Sequence, residues 1–259
     1  MGAFRRAAWA ASCALSCWPA VSQAAVDAGG SLALTQDDVY RGVSQTCGHP
    51  AAQADVHLRE RGAAYWAAFL GVWGSAGLSG SPCGSARELD AYAGFSLALT
   101  PNVIGTLTYT RYAFPGGGYG NPHLYGERYD YDQIGASLSL WDHLDLTLAW
   151  TPDALRYEPY PGGMLNEQDR SAFDYGVQWR QPLVSWLSLT AGAGYDRMAD
   201  PFDTGYSFWS LGLTHVAGPL ELDIAYFHTA KRAVRLFGRE SAGGRVSATL
   251  VWRLQSPRL

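Results

Sequence analysis

Apolar and polar residues alternate with period two through run after run of this chain, and that pattern limits the fold more than any other feature. Leu89, Ala91, Ala93, Phe95, Leu97 and Leu99 interleave with Glu88, Asp90, Tyr92, Gly94, Ser96 and Ala98. Leu144, Leu146, Leu148 and Trp150 interleave with Asp145, Thr147, Ala149 and Thr151, and the same phase recurs in 173–180, 220–227 and 245–253. Successive strand side chains point to opposite faces, so each run is a ribbon with one apolar face and one polar or small face. The runs last about ten residues, near twice the usual soluble strand and about the length that crosses a bilayer at a tilt. No stretch of about 18 apolar residues follows Ala25, which excludes helical membrane spans.

The pattern predicts strands near 31–41, 51–59, 63–73, 88–99, 103–113, 129–140, 144–154, 171–180, 186–195, 205–215, 220–229 and 245–253. Short connections at 59–62, 100–102, 141–143, 181–185 and 216–219 alternate with longer polar or Gly-rich ones at 74–87, 114–128, 155–170 and 230–244. Short turns on one rim, long loops on the other and both chain ends on the short-turn side describe an all-β fold. It is a transmembrane antiparallel up-and-down β-barrel of about 12 strands, within a range of about 10 to 14. A secreted sandwich or a soluble barrel would also alternate. Neither would keep such long strands with aromatics near their ends, as at Trp73, Tyr109, Trp150, Trp179, Tyr195, Tyr226 and Trp252, positions that suit interfacial girdles. Only 16% of residues are charged and 30 are Gly. A lipid-facing surface excludes charge, and small residues let a closed, curved sheet bend.

Residues 1–24 read as a cleaved signal peptide: Arg5 and Arg6, a short apolar run from Ala7 to Trp18, and small residues at Ser22 and Ala24. The mature chain, 25–259, is expected to be one barrel domain exported to the outer membrane of a Gram-negative bacterium. Cleavage removes two Arg and no acid, which moves the formal net charge from −4 to −6. That balance offers no basic footprint for nucleic acid. Cys47 and Cys83 remain in an oxidising compartment, where two leftover cysteines pair. On the chain-entropy account such a disulfide contributes about 4 kcal/mol.

The polar phase of the strands gives the expected lumen lining: Asp37, Arg41, Asp55, His57, Glu88, Asp90, Asp145, Asp174, Arg180, Glu221, Asp223 and Arg253. Asp37 and Arg41 fall on one face of the predicted first strand, opposite Leu32 and Leu34, about 13 Å apart. They need partners on neighbouring strands, with Asp55, His57 and Arg253 as candidates. Twelve strands spaced about 4.8 Å and tilted about 40° give a Cα radius of about 12 Å. That suits passive diffusion of small hydrophilic solutes. The alternative is a structural or adhesive barrel that conducts nothing and binds a partner through its loops.

No catalytic, cofactor or metal site is expected. The six His are scattered, no G-x-S-x-G elbow occurs, and Tyr226-Phe227-His228-Thr229 lacks the Ser-Asn partner of a membrane lipase. Lys231, Arg232, Arg235 and Arg239 crowd the last long loop, where they are expected to contact lipopolysaccharide phosphates. Gly116-Gly117-Gly118 reads as a loop tip, since no helix follows to cradle a phosphate.

Residues 31–52, SLALTQDDVYRGVSQTCGHPAA, resemble the opening of the TorF family of proteobacterial porin-type proteins, which begins L-T-S-D-Y-V-F-R-G-I-S-Q-T with Pro-Ala shortly after. The resemblance rests on Leu34, Thr35, Asp37, Val39, Arg41, Gly42, Ser44, Gln45, Thr46, Pro50 and Ala51. Asp38 stands where the family has an aromatic, and seven residues follow Trp252 where assembly signals end on an aromatic. The resemblance implies an outer-membrane porin without a catalytic centre, inserted by the barrel-assembly machinery.

Overall fold

A computed structural model describes residues 25–62, 65–78, 87–115, 130–154, 170–198 and 205–255. The expected signal peptide, Cys83 and the Gly116–Gly118 tip lie outside the described residues. The strands are β1 (Ala25–Thr35), β2 (Val39–Tyr40), β3 (Val43–Ser44), β4 (Ala51–Gly62), β5 (Trp66–Gly77), β6 (Arg87–Thr100) and β7 (Val103–Ala113). After them come β8 (Tyr131–Leu140), β9 (Leu144–Ala154), β10 (Arg170–Val184), β11 (Leu187–Arg197), β12 (Gly205–Ala217), β13 (Leu220–Thr229), helix α1 (Lys231–Phe237) and β14 (Arg245–Gln255). All but β2 and β3 close into one twelve-stranded antiparallel barrel in chain order, and β14 returns to pair with β1. Closure removes every free strand edge, the condition for a sheet in hydrocarbon.

The period-two pattern sets which residues face out. In β6, Leu89, Phe95, Leu97 and Leu99 are exposed while Asp90 is buried. In β13, Leu220, Leu222, Ile224 and Tyr226 are exposed while Glu221 and Thr229 are buried. The side chains that stay exposed are the oily ones, the reverse of a water-soluble domain and the arrangement lipid requires. Tyr109, Trp150, Trp179, Tyr195, Tyr226 and Trp252 are all exposed on this outer face. Trp73 is a correction: it shares the phase of the buried Ala67 and Ser75 in β5, so it belongs to the lumen side and to no girdle.

Tight turns define one rim. Trp141 and Asp142 both take positive φ (52° and 58°), closed by His143 N–H donating to the Leu140 carbonyl at 3.1 Å. Positive φ at both central residues matches the twist of a two-residue hairpin. On the opposite rim the chain does not simply loop between strands. The first wall strand ends at Thr35, six residues before the expected end at 41, and 36–50 turns away from the wall. The last long connection, expected to be a loop, contains α1. Ala233 is fully buried there, and with Val43, Tyr206 and Ala242 it forms a small apolar cluster onto which Val234, Phe237 and Phe208 pack. This cluster joins the hairpin, one wall strand and the helix at the long-loop end.

Candidate functional site

The segment Val39-Tyr40-Arg41-Gly42-Val43-Ser44 is a miniature hairpin, with Val39 opposite Ser44 and Tyr40 opposite Val43. Its turn needs positive φ at both central positions, supplied by Arg41 (50°) and Gly42 (76°). A Cβ on Gly42 would stand 2.6 Å from Thr229 Cγ2 and 2.9 Å from Phe208 Cβ, so the turn lies directly against β12 and β13. Glycine meets both demands, conformation and space.

The root of the hairpin is Asp37, 5% exposed. Its Oδ1 accepts from the Ser44 hydroxyl, from Thr46 Oγ1 at 3.0 Å and from Gly48 N–H at 3.2 Å. Its Oδ2 accepts from Arg245 Nη1 at 2.7 Å. A buried carboxylate is tolerable only when paired and hydrogen-bonded, and this one is both. Asp38, also buried, accepts from Ser75 Oγ of β5 at 2.6 Å.

The tip reaches the far wall. Arg41 Nη2 lies 2.7 Å from Asp174 Oδ2 on β10, and Nη1 lies 3.8 Å from Asp196 Oδ2 on β11. Its guanidinium sits 4.4 Å above the Tyr40 ring. Tyr40 OH is 3.5 Å from Tyr112 OH on β7, and Tyr112 stacks on Tyr131 of β8 at 4.4 Å. Around the ring, β10 stands five places from β1, so the hairpin spans the lumen instead of lining it. Burial pushes the Tyr40 phenol well up, which keeps it protonated. Burial opposes the charge of Arg41, but Tyr40, Asp174 and Asp196 more than offset that, so its guanidinium is held charged.

The expected partners of Asp37 and Arg41 are therefore corrected. Asp55, His57 and Arg253 pair with other residues, because they belong to wall strands nearer the tight-turn rim. Asp55 Oδ1 is 2.6 Å from His57 Nδ1, and its Oδ2 accepts from Tyr92 OH at 2.6 Å. Arg253 donates to Glu221 Oε2 at 2.7 and 3.2 Å. Thr214 Oγ1 donates to Asp223 and Ser139 Oγ to Asp145, each at 2.5 Å. Glu88 and Asp90 share the inward phase of β6 at the hairpin level. Asp145, Gln178, Arg180 and Arg253 share the inward phase of their strands yet are exposed. The turn-side half of the lumen is thus open to solvent, while the other half is crossed by the hairpin.

Residues of this site absent from the expected lining include Asp38, Tyr40, Ser44, Asp196 and Arg245. The turn dipeptide Arg41-Gly42 between two Val-containing pairs was the signal for the hairpin. Arg245 alternates with the outward Val246, which places it on the lumen face apart from the other basic residues of its loop. His228 points outward, its ring 5.6 Å from Trp209 and 6.4 Å from Tyr226. Among the described residues no group of three or more His, Cys, Asp or Glu converges as a metal site would.

Residues 20–255 match the model of a family described as bacterial protein of unknown function, Gcw_chp. The chain belongs to this family. No curated protein matches the sequence of this Gcw_chp chain. Among solved structures it is similar to a chain from a study of in-meso crystallization of membrane proteins, at 12% identity, 88% coverage of this chain and 83% of that one, TM-score 0.55. The NanC porin aligns at 9% identity, 90% and 100% coverage and TM-score 0.49. An outer membrane channel from Pseudomonas putida F1 aligns at 12% identity, 90% and 95% coverage and TM-score 0.46. Likeness at these identities is a likeness of fold, the closed antiparallel barrel.

Proposed function

We propose that this Gcw_chp protein is a porin-like channel of the outer membrane through which small hydrophilic solutes diffuse, with the 36–50 hairpin as its narrow zone. The observation that carries the reading is the wet inner wall: Asp145, Gln178, Arg180 and Arg253 face inward and remain exposed. Charged side chains in a dry plug would be costly, whereas in a hydrated conduit they are solvated. The exposed apolar outer face supports insertion in lipid, and the leader-like 1–24 supports export to the outer membrane. Asp37, Arg41, Gly42, Ser44 and Thr46, which seat the hairpin, are shared with the TorF pattern and support the finer assignment to TorF-type porins.

The exposed Lys231, Arg232, Arg235 and Arg239 lie on or just after α1, whose Ala233 is turned inward. They form a basic outer face suited to lipopolysaccharide phosphates. Cys47 sits in a second tight turn, its Sγ 3.3 Å from Ser241 Oγ, and its pairing with Cys83 would tie the hairpin to the β5–β6 loop. Insertion by the barrel-assembly machinery completes the proposal.

The hairpin's many anchors favour a second reading, a non-conducting structural barrel. Swelling of proteoliposomes in isotonic sugars separates the two. Faster swelling with a pentose than with a trisaccharide is the expected result, and swelling no faster than protein-free vesicles in every sugar refutes the channel.

A further inference from the structure

The hairpin level of the lumen carries six acids, Asp37, Asp38, Glu88, Asp90, Asp174 and Asp196, against two arginines. Arg245 is used by Asp37, and Arg41 by Asp174 and Asp196. Among the described residues Asp38, Glu88 and Asp90 make no ion pair of their own. Their places in the fold are neighbouring. Ser75, which holds the Asp38 carboxylate, lies directly opposite Glu88 in the β5–β6 register, and Asp90 is two residues along the same inward face. Asp90 is 7% exposed, and its Oδ1 has no hydrogen-bond partner. A carboxyl oxygen left bare beside two further acids is tolerated with a proton or with a cation from the solution, and a passing cation competes with the proton for it.

Building on the channel reading above, we infer that the constriction selects cations: the solutes it passes are small cationic species, inorganic or amine. The three acids stand at the level that the hairpin crosses, where low-dielectric walls focus their field. Asp38 at the hairpin root and Glu88 and Asp90 on β6 do not close around a point as a metal site would, which fits passage and not capture. The basic residues of α1 do not reverse this. They are exposed at the outer rim, where salt screens charge over about 8 Å at physiological strength.

A potential of about one kT at the constriction favours a cation over an anion of equal mobility by about sevenfold. Planar bilayers containing the refolded full-length mature chain, held across a tenfold KCl gradient, read this ratio from the reversal potential. The expected result is potassium over chloride by about sevenfold, falling toward unity in Asp38→Asn/Glu88→Gln/Asp90→Asn with single-channel steps retained. A conducting wild type that is non-selective or anion-selective overturns the inference and leaves the channel reading standing. An unchanged ratio in the triple variant also overturns it, since the selectivity would then lie elsewhere. A wild type that folds but never conducts overturns both. Should the triple variant not fold, the single substitution Glu88→Gln at the partly accessible position must lower the ratio, and no change there counts against the inference.

Discussion

Replacing Arg41 with Ala should free the tip of the hairpin from the far wall. The guanidinium makes both of the tip's ion pairs among the described residues, and the atoms are well enclosed: side-chain exposure is 17% for Arg41, 11% for Asp174 and 12% for Asp196. Removing one partner of such an enclosed pair leaves uncompensated charge and costs about 3–5 kcal/mol. At about 1.4 kcal/mol per factor of ten, the ratio of docked to undocked hairpin falls by about 10²- to 4 × 10³-fold. The root holds, because Asp37, Ser44, Thr46 and Arg245 are untouched, and the barrel wall keeps its full register. Single-channel recording should show wild-type steps with rare excursions to a larger level, and the Arg41→Ala variant should dwell at that larger level. Amide exchange at 39–44 should accelerate while exchange in β4 and β6 does not. Arg41→Lys should fall between the two, since it keeps the charge and loses the planar fork that reaches two carboxylates. An Arg41→Ala protein with the wild-type conductance histogram and wild-type exchange at 39–44 would show that Arg41 does not hold the tip.

Gly42→Ala adds a Cβ into Thr229 and Phe208 at positive φ, so it should weaken hairpin docking by at least about 1–2 kcal/mol; faster exchange at 39–44 with an unchanged urea midpoint of the barrel is the check. Leu107 and Thr108 are adjacent but face opposite ways at mid-strand of β7. Leu107→Arg should cost about 2–4 kcal/mol in urea titrations of the vesicle-folded protein, and Thr108→Arg much less, with its effect on conductance instead. Cys47 should resist alkylation in the unreduced protein and label after reduction, with Cys83→Ser making it reactive at once. Exchanging Lys231, Arg232, Arg235 and Arg239 for Gln should lower retention of lipopolysaccharide during purification, and equal retention would remove those residues from the lipid contact.

The wall was legible because lipid enforces the alternation residue by residue. The run 88–99 became β6 at Arg87–Thr100, and 103–113 and 144–154 became β7 and β9 without change. The first strand was carried six residues too far. Thr35-Gln36-Asp37-Asp38 are polar on both phases, which marks the point where the chain leaves the wall, and the β-forming Val39 and Tyr40 beyond them drew the strand past it. Before that point Gly30 leaves a gap in the outward apolar phase of Val26, Ala28, Leu32 and Leu34, although 25–35 pair with β4 in full register. Trp73 was misassigned because an aromatic near a strand end fits a girdle and a lumen equally well, and only the phase of Ala67 and Ser75 decides. The partners of Arg41 were out of reach of any local reading. Asp174 and Asp196 lie more than 130 residues away in sequence, and the contact exists only because the hairpin folds inward.

The proposed channel requires a hydrated lumen, narrowed by the inward hairpin, through this barrel. Conductance of the refolded mature chain in planar bilayers, recorded beside a variant whose 38–46 segment is replaced by a short Gly-Ser linker, is the decisive measurement. Small discrete steps are expected for the wild type and larger ones for the variant. A folded wild type that stays silent, or a variant whose steps match those of the wild type, would contradict the proposed channel.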